Sequence, residues 1–145
     1  MKPIIRPRRL RQNQAIRNMV QENRLQTSDF IAPLFIVGGN QVKEPIPSMP
    51  GQFRFSLDTL QEEIRELTDL GIQAVLLFVK VDADQKDEKG SEAINPDGLM
   101  QRAIQTIKAT NSQLLVMTDV ALDPYSSVGH DGIVKDGKIV NDETN

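Results

Sequence analysis

The chain has 145 residues, no cysteine, 39% hydrophobic and 26% charged residues, and a formal net charge of -3, a composition ordinary for one soluble globular domain. Without cysteine there is neither a disulfide framework nor a thiolate metal site, so a metal ion would be held by oxygen or by the single histidine, His130, which favours a hard cation over zinc. No run of about 18 apolar residues offers a transmembrane helix, and the opening MKPIIRPRRL lacks the apolar run and cleavage site of a secretory signal. The expected compartment is the cytoplasm, with no membrane partner.

Residues 1–24 carry Lys2, Arg6, Arg8, Arg9, Arg11, Arg17 and Arg24 against Glu22 alone, so the remainder of the chain is acidic. A basic segment on an acidic body suits nucleic acid, an anionic surface or the acidic face of a second copy; the expectation is a solvated or subunit-contacting arm and no nucleic acid. Two prolines start it extended, and Ile16, Met19 and Val20 then suit a brief helix. Residues 25–145 form the second region.

Residues 30–37, FIAPLFIV, read as a buried strand ending at Gly38 and Gly39, although Pro33 removes a ladder donor. Ser56 is placed to cap a helix whose apolar stripe is Leu57, Leu60, Ile64, Leu67 and Leu70, with Gly71 as its stop. Residues 73–79, QAVLLFV, give a second buried strand, and residues 82–95 a polar loop. Asn95 and Pro96 are expected to open a second helix with Leu99, Ala103, Ile104 and Ile107 on its core side. Residues 114–120, LLVMTDV, give a third strand, and Asp136-Gly137 the turn of a small hairpin. Asn141, Asp142 and Glu143 signal another helix start where the chain stops, the pattern expected of a truncated chain.

Strand, helix, strand, helix, strand predicts an α/β fold with parallel strands. It is completed either as the opening of an eight-stranded (β/α) barrel or as a small doubly wound sheet, and in both function sits beyond the carboxyl ends of the strands. There the densest chemistry is one loop holding Asp119, Asp123, Tyr125, His130 and Asp131. Carboxylates at this density suit Mg²⁺, a monovalent ion or a substrate ammonium group; Asp beside Pro or Gly is equally ordinary turn chemistry. His130 is a candidate base or ligand or a structural loop histidine. Lys80, at a strand end, is where a barrel enzyme can place an imine-forming lysine, but a solvated lysine is the simpler account. No phosphate-binding loop, nucleophile elbow or dinucleotide fingerprint is present.

Whole strings go further than spacing. RPRRLR (6–11), PLFIVGG (33–39), SMPG (48–51), LGIQAVLLF (70–78), KDEKGSEA (86–93), NPDGLMQRAI (95–104), TDVALDPYSSVGHDG (118–132) and the closing GKIVNDETN resemble the porphobilinogen synthase (delta-aminolevulinic acid dehydratase) family, in the family's order. The resemblance implies an amino-terminal arm followed by the first strands and helices of a (β/α)8 TIM barrel, a homo-octamer joined through the arm residues Arg6, Arg8, Arg9 and Arg11, and condensation of two molecules of 5-aminolevulinate to porphobilinogen in haem biosynthesis. Where the family's zinc-dependent members carry three cysteines, this chain has Ala121, Asp123 and Asp131, which looks like the type that responds to Mg²⁺ and sometimes to a monovalent cation. Resemblance therefore assigns Asp123 and Asp131, with His130 a weaker candidate, to the substrate's amino group or a metal, and Asp119 a supporting role beside the lysines. Val128 stands where the family more often has a histidine. The family's two imine-forming lysines lie beyond Asn145, Lys80 matches neither, and the chain alone is expected to be inactive. Two other readings stay open: a non-catalytic truncated module that assembles with full-length subunits, and a small Mg²⁺-binding doubly wound domain.

Overall fold

The computed structural model describes residues 8–144, so the arm residues Arg6 and Lys2 lie outside the described residues. Asn13 caps α1 (Gln14–Met19), its side chain accepting the N–H of Ile16 at 2.9 Å. Residues 8–30 bury no side chain, and Ile16 alone among them is half-buried. Six residues with one apolar face cannot hold a helix by propensity alone.

The central sheet has five strands in the order β2-β3-β1-β4-β5: β1 (Ile31–Val37), β2 (Lys43–Pro45), β3 (Phe53–Phe55), β4 (Ala74–Lys80) and β5 (Leu115–Thr118). The three strands expected from sequence, β1, β4 and β5, lie side by side and parallel. Pro33 is accommodated because β3 pairs with β1 only at Phe35 and Ile36; before that β1 has one neighbour, and a residue facing the free side has no ladder bond to lose. β2, antiparallel to β3, makes the sheet mixed. Neither short strand was expected, because three residues are too few to show a period.

α2 (Leu57–Asp69) and α3 (Leu99–Thr110) pack on each other and on one face of the sheet, closing a core with Leu34, Ile36, Val75 and Leu77. A doubly wound sheet carries helices on both faces; among the described residues this one does not. Leu60 and Ile64 of the expected stripe are fully buried, whereas Leu70 is exposed because the helix has already ended there. Gly71, at φ +83°, closes α2 as a Schellman motif: its N–H reaches the Thr68 carbonyl at 2.9 Å and that of Ile72 the Leu67 carbonyl at 3.0 Å.

α3 starts three residues later than Asn95-Pro96 suggests. Asn95 instead begins a turn, its side chain accepting the N–H of Asp97 at 3.0 Å and its carbonyl that of Gly98 at 3.0 Å. The hairpin β6 (Val134–Lys135) and β7 (Lys138–Ile139) turns at Asp136 and Gly137, both at positive φ, as its Asp-Gly requires. α4 (Asn141–Thr144) begins at the expected helix start. No helix among the described residues is long and apolar enough to cross a membrane.

Candidate active-site loop

Asp119 follows β5 directly, and its N–H donates to the Leu77 carbonyl of β4 at 3.3 Å, which carries the ladder one residue past the strand. The chain then folds back through a tight turn in which the Leu122 carbonyl accepts the N–H groups of Tyr125 and Ser126, each at 3.0 Å. Tyr125 and Ser126 are buried, so the turn is anchored from beneath while Asp123, His130 and Asp131 stay at the surface.

Two of the predicted carboxylates meet. Oδ1 of Asp131 accepts the consecutive N–H groups of Leu122 at 3.1 Å and Asp123 at 3.2 Å, so a carboxylate nine residues along ties the loop shut. Desolvation, the charge of Asp131, a hydrogen bond to Asp131 and the charge of Asp119 together push the Asp123 carboxyl above the usual carboxylate range. Tyr125 is also raised, by burial first and then by Glu92 and Asp119. The loop thus gathers negative charge, and among the described residues none of its three carboxylates is in an ion pair. It borders an open cleft of about 460 Å³ whose wall includes Asp119, Leu122, Tyr125 and Asp131 on one side and Met100 and Ile104 on the other.

Asp131 and Asp119 therefore both bear on Asp123. His130 is exposed. Lys80 is exposed and lines a different, smaller hollow with Asp82, Asp97 and Arg102. No group of three or more His, Cys, Asp or Glu side chains is arranged to hold a metal among the described residues. What the sequence reading missed is the support: Tyr125 and Ser126 beneath the loop, and the turn at residues 87–91 beside it. The aromatic Tyr125, set among the aspartates of the loop, was the available signal.

With this geometry in place, comparison with known proteins decides the family. The sequence model of delta-aminolevulinic acid dehydratase matches residues 4–145. The chain belongs to the delta-aminolevulinic acid dehydratase family. It is 46% identical over 139 residues to the delta-aminolevulinic acid dehydratase of Chlamydia pneumoniae, covering 96% of this chain and 42% of that protein. It is 47% identical to that of Bradyrhizobium diazoefficiens, covering 97% of this chain and 40% of that protein. The crystal structure of the family member from Toxoplasma gondii ME49, in complex with the reaction product porphobilinogen, superposes with a TM-score of 0.90 at 49% identity, over 99% of this chain and 41% of that one. The chain thus spans about two fifths of the length of these relatives.

Proposed function

We propose that this chain forms the arm, the first strands and helices of a (β/α)8 barrel, and the aspartate loop of a porphobilinogen synthase, which joins two molecules of 5-aminolevulinate into porphobilinogen with loss of two waters. The observation that carries the reading is the placement of Asp119, Asp123 and Asp131 beyond the carboxyl end of β5, in a fold that superposes on a porphobilinogen-bound relative. The apolar sheet face left without helices supports the barrel reading, since such a face becomes the inside of a closed barrel.

In the complete enzyme, lysines outside these residues form imines with the substrate ketones, making one carbon electrophilic and its neighbour nucleophilic. The aspartate loop faces the amino group of the second substrate. Asp131 is preorganised by two backbone N–H groups, and Asp123 either attracts an ammonium as a carboxylate or shares a proton with Asp131. Asp119 adds negative charge. His130, exposed on the same loop, orients it.

Asp123 and Asp131 are also the residues that would hold a metal. Two carboxylates with free oxygens fit Mg²⁺, which keeps most of its waters and needs few protein ligands, or a monovalent cation; they do not fit zinc, which selects thiolate and imidazole. A bound Mg²⁺ would supply positive charge beside the loop. Arg8, Arg9 and Arg11, exposed on the arm, contact a neighbouring copy in the homo-octamer, and the enzyme works in the cytoplasm.

Borohydride reduction of the protein in the presence of 5-aminolevulinate, followed by intact-mass and peptide mapping, tests the reading. Expected are substrate adducts on lysines outside this segment and formation of porphobilinogen. An adduct on Lys80 would overturn the residue assignment, and absence of both adduct and product would overturn the function.

A further inference from the structure

The loop after β4 and the loop after β5 are fastened together at one place. The Asp87 carbonyl accepts the N–H of Ser127 at 2.8 Å, and Asp87 and Ser126 form an isolated parallel bridge. Asp87 also holds its own turn: Oδ1 accepts the N–H groups of Lys89 at 2.9 Å and Ser91 at 3.0 Å. That turn delivers Gly90, buried and at φ +66°, against the neighbouring loop. A Cβ at Gly90 would lie 2.5 Å from Cδ1 of Leu122, 2.9 Å from its Cγ and 3.5 Å from Cβ of Tyr125.

Leu122 is the residue whose N–H, together with that of Asp123, holds the Asp131 carboxylate. We propose that Gly90 is a positioning residue whose missing side chain seats Leu122, and that Leu122 so seated sets the geometry of Asp123 and Asp131. This rests on the reading of those two carboxylates as part of the substrate site. The contact is not relieved by swinging the tip of Leu122, because Cγ itself is too close and its position is set by χ1 and the backbone. A new χ1 reshapes the cleft wall that Leu122 shares with Asp119, Tyr125 and Asp131; a backbone shift moves the two N–H donors. Either way, a methyl group that touches no carboxylate alters the carboxylate pair.

The test compares G90A, L122A and G90A/L122A in the full-length enzyme that contains this chain. G51A is the control, because Gly51 is also at positive φ, +84°, but has nothing within 4 Å of the added Cβ, so it carries backbone strain without the contact. The expected result is a fall in kcat/KM on the order of 10- to 100-fold for G90A, the size a small misplacement at a site produces, carried in part by KM for 5-aminolevulinate. G51A is expected to lose melting temperature without that kinetic change. In the L122A background the added methyl should cost less than about threefold, because the two sites no longer share a contact. Equal kinetics for G90A and G51A, or an equal methyl penalty in both backgrounds, would overturn the proposal. Should G90A fail to fold, L122A against G90A/L122A still decides: near-equality supports the contact and a further tenfold loss rejects it. The side-chain carboxyl ¹³C shifts of Asp123 and Asp131 read the same geometry without turnover. Shifts that move in G90A and not in G51A, in an enzyme that makes no porphobilinogen, would reject the substrate reading and keep the positioning role; shifts that stay put reject the positioning role.

Discussion

The two faces of the central sheet are built from similar residues and end in different environments. Leu34, Ile36, Val75 and Leu77 point at α2 and α3 and are at most 3% exposed. Phe35, Leu76 and Phe78 alternate with them on the same strands and are only half-buried, and Leu115 and Met117 on β5 stand exposed. Strands apolar on both faces are made for a sheet covered twice; among the described residues one cover is present. Burial here follows from what packs on a face, not from the apolarity of the residue, and neighbouring positions in β4 measure it. Leu77→Ala removes a fully buried side chain from the covered face and should cost about 2–5 kcal/mol in urea unfolding of this chain. Phe78→Ala chiefly loses its stack on Phe35, with rings 5.4 Å apart, and should cost about 0.5–1.5 kcal/mol. In a longer chain that closes the barrel, the cost of Phe78→Ala should rise to about 3–5 kcal/mol, the range for a buried aromatic. Equal costs in both contexts would break the barrel reading.

The covered half was also the legible half. Ser56, the Leu60 and Ile64 stripe and Gly71 each state a helix locally, and the apolar runs around Leu34, Leu77 and Val116 state strands, so the element order could be read without knowing contacts. Asn95-Pro96 misled because the same two residues that open a helix also make a turn, and only the packing of Met100 and Ala103 against the sheet decides where α3 begins. The site was half legible. Crowding of Asp119, Asp123 and Asp131 in one string marked the loop as a candidate site; the inward anchoring by Tyr125 and Ser126, and the seat that Gly90 gives Leu122, depend on a contact between two loops far apart in sequence. No local pattern encodes such a contact.

A second measurement probes the rim of the covered face. Ser56 is fully buried, and it is the N-cap residue of α2 by position but not by side-chain bond. Its hydroxyl instead accepts the N–H of Val42 at 2.9 Å and donates to Oδ1 of Asp58, while Thr59 Oγ1 donates to the Val42 carbonyl at 2.6 Å. These bonds sew the loop after β1 to the start of the helix. Ser56→Ala leaves the half-buried Val42 N–H without its partner and should cost about 0.5–1.5 kcal/mol, the net worth of one hydrogen bond. It should also release the Asp58 carboxyl, which the Ser56 hydroxyl chiefly holds below the usual range. A thermal melt and an NMR titration of Asp58 check both effects; loss of stability with an unmoved Asp58 would contradict the shared network.

The smallest effect expected belongs to the aspartate loop, where charge rather than packing sets the cost. Burial and the neighbouring carboxylates raise Asp123 above the ordinary aspartate value of 3.8 in the folded state, so between that value and its folded pKa the folded protein binds more protons than the unfolded chain. Stability from this group is therefore fully present below about pH 3.8 and declines as pH rises through the folded pKa, the opposite of an ion-paired aspartate. Asp123→Asn removes the ionisation: the variant and the parent should match at acid pH, and the variant should be the more stable at neutral pH. Because the group is exposed at the loop surface, the difference is small and salt-sensitive. Added Mg²⁺ should narrow it if Asp123 and Asp131 accept the cation, because the cation relieves in the parent the repulsion that the substitution has already removed. A gap that grows with pH and closes with Mg²⁺ would tie the carboxylate pair to a cation, whereas a pH-independent gap would leave Asp123 a turn residue and return the loop to ordinary Asp-Pro chemistry.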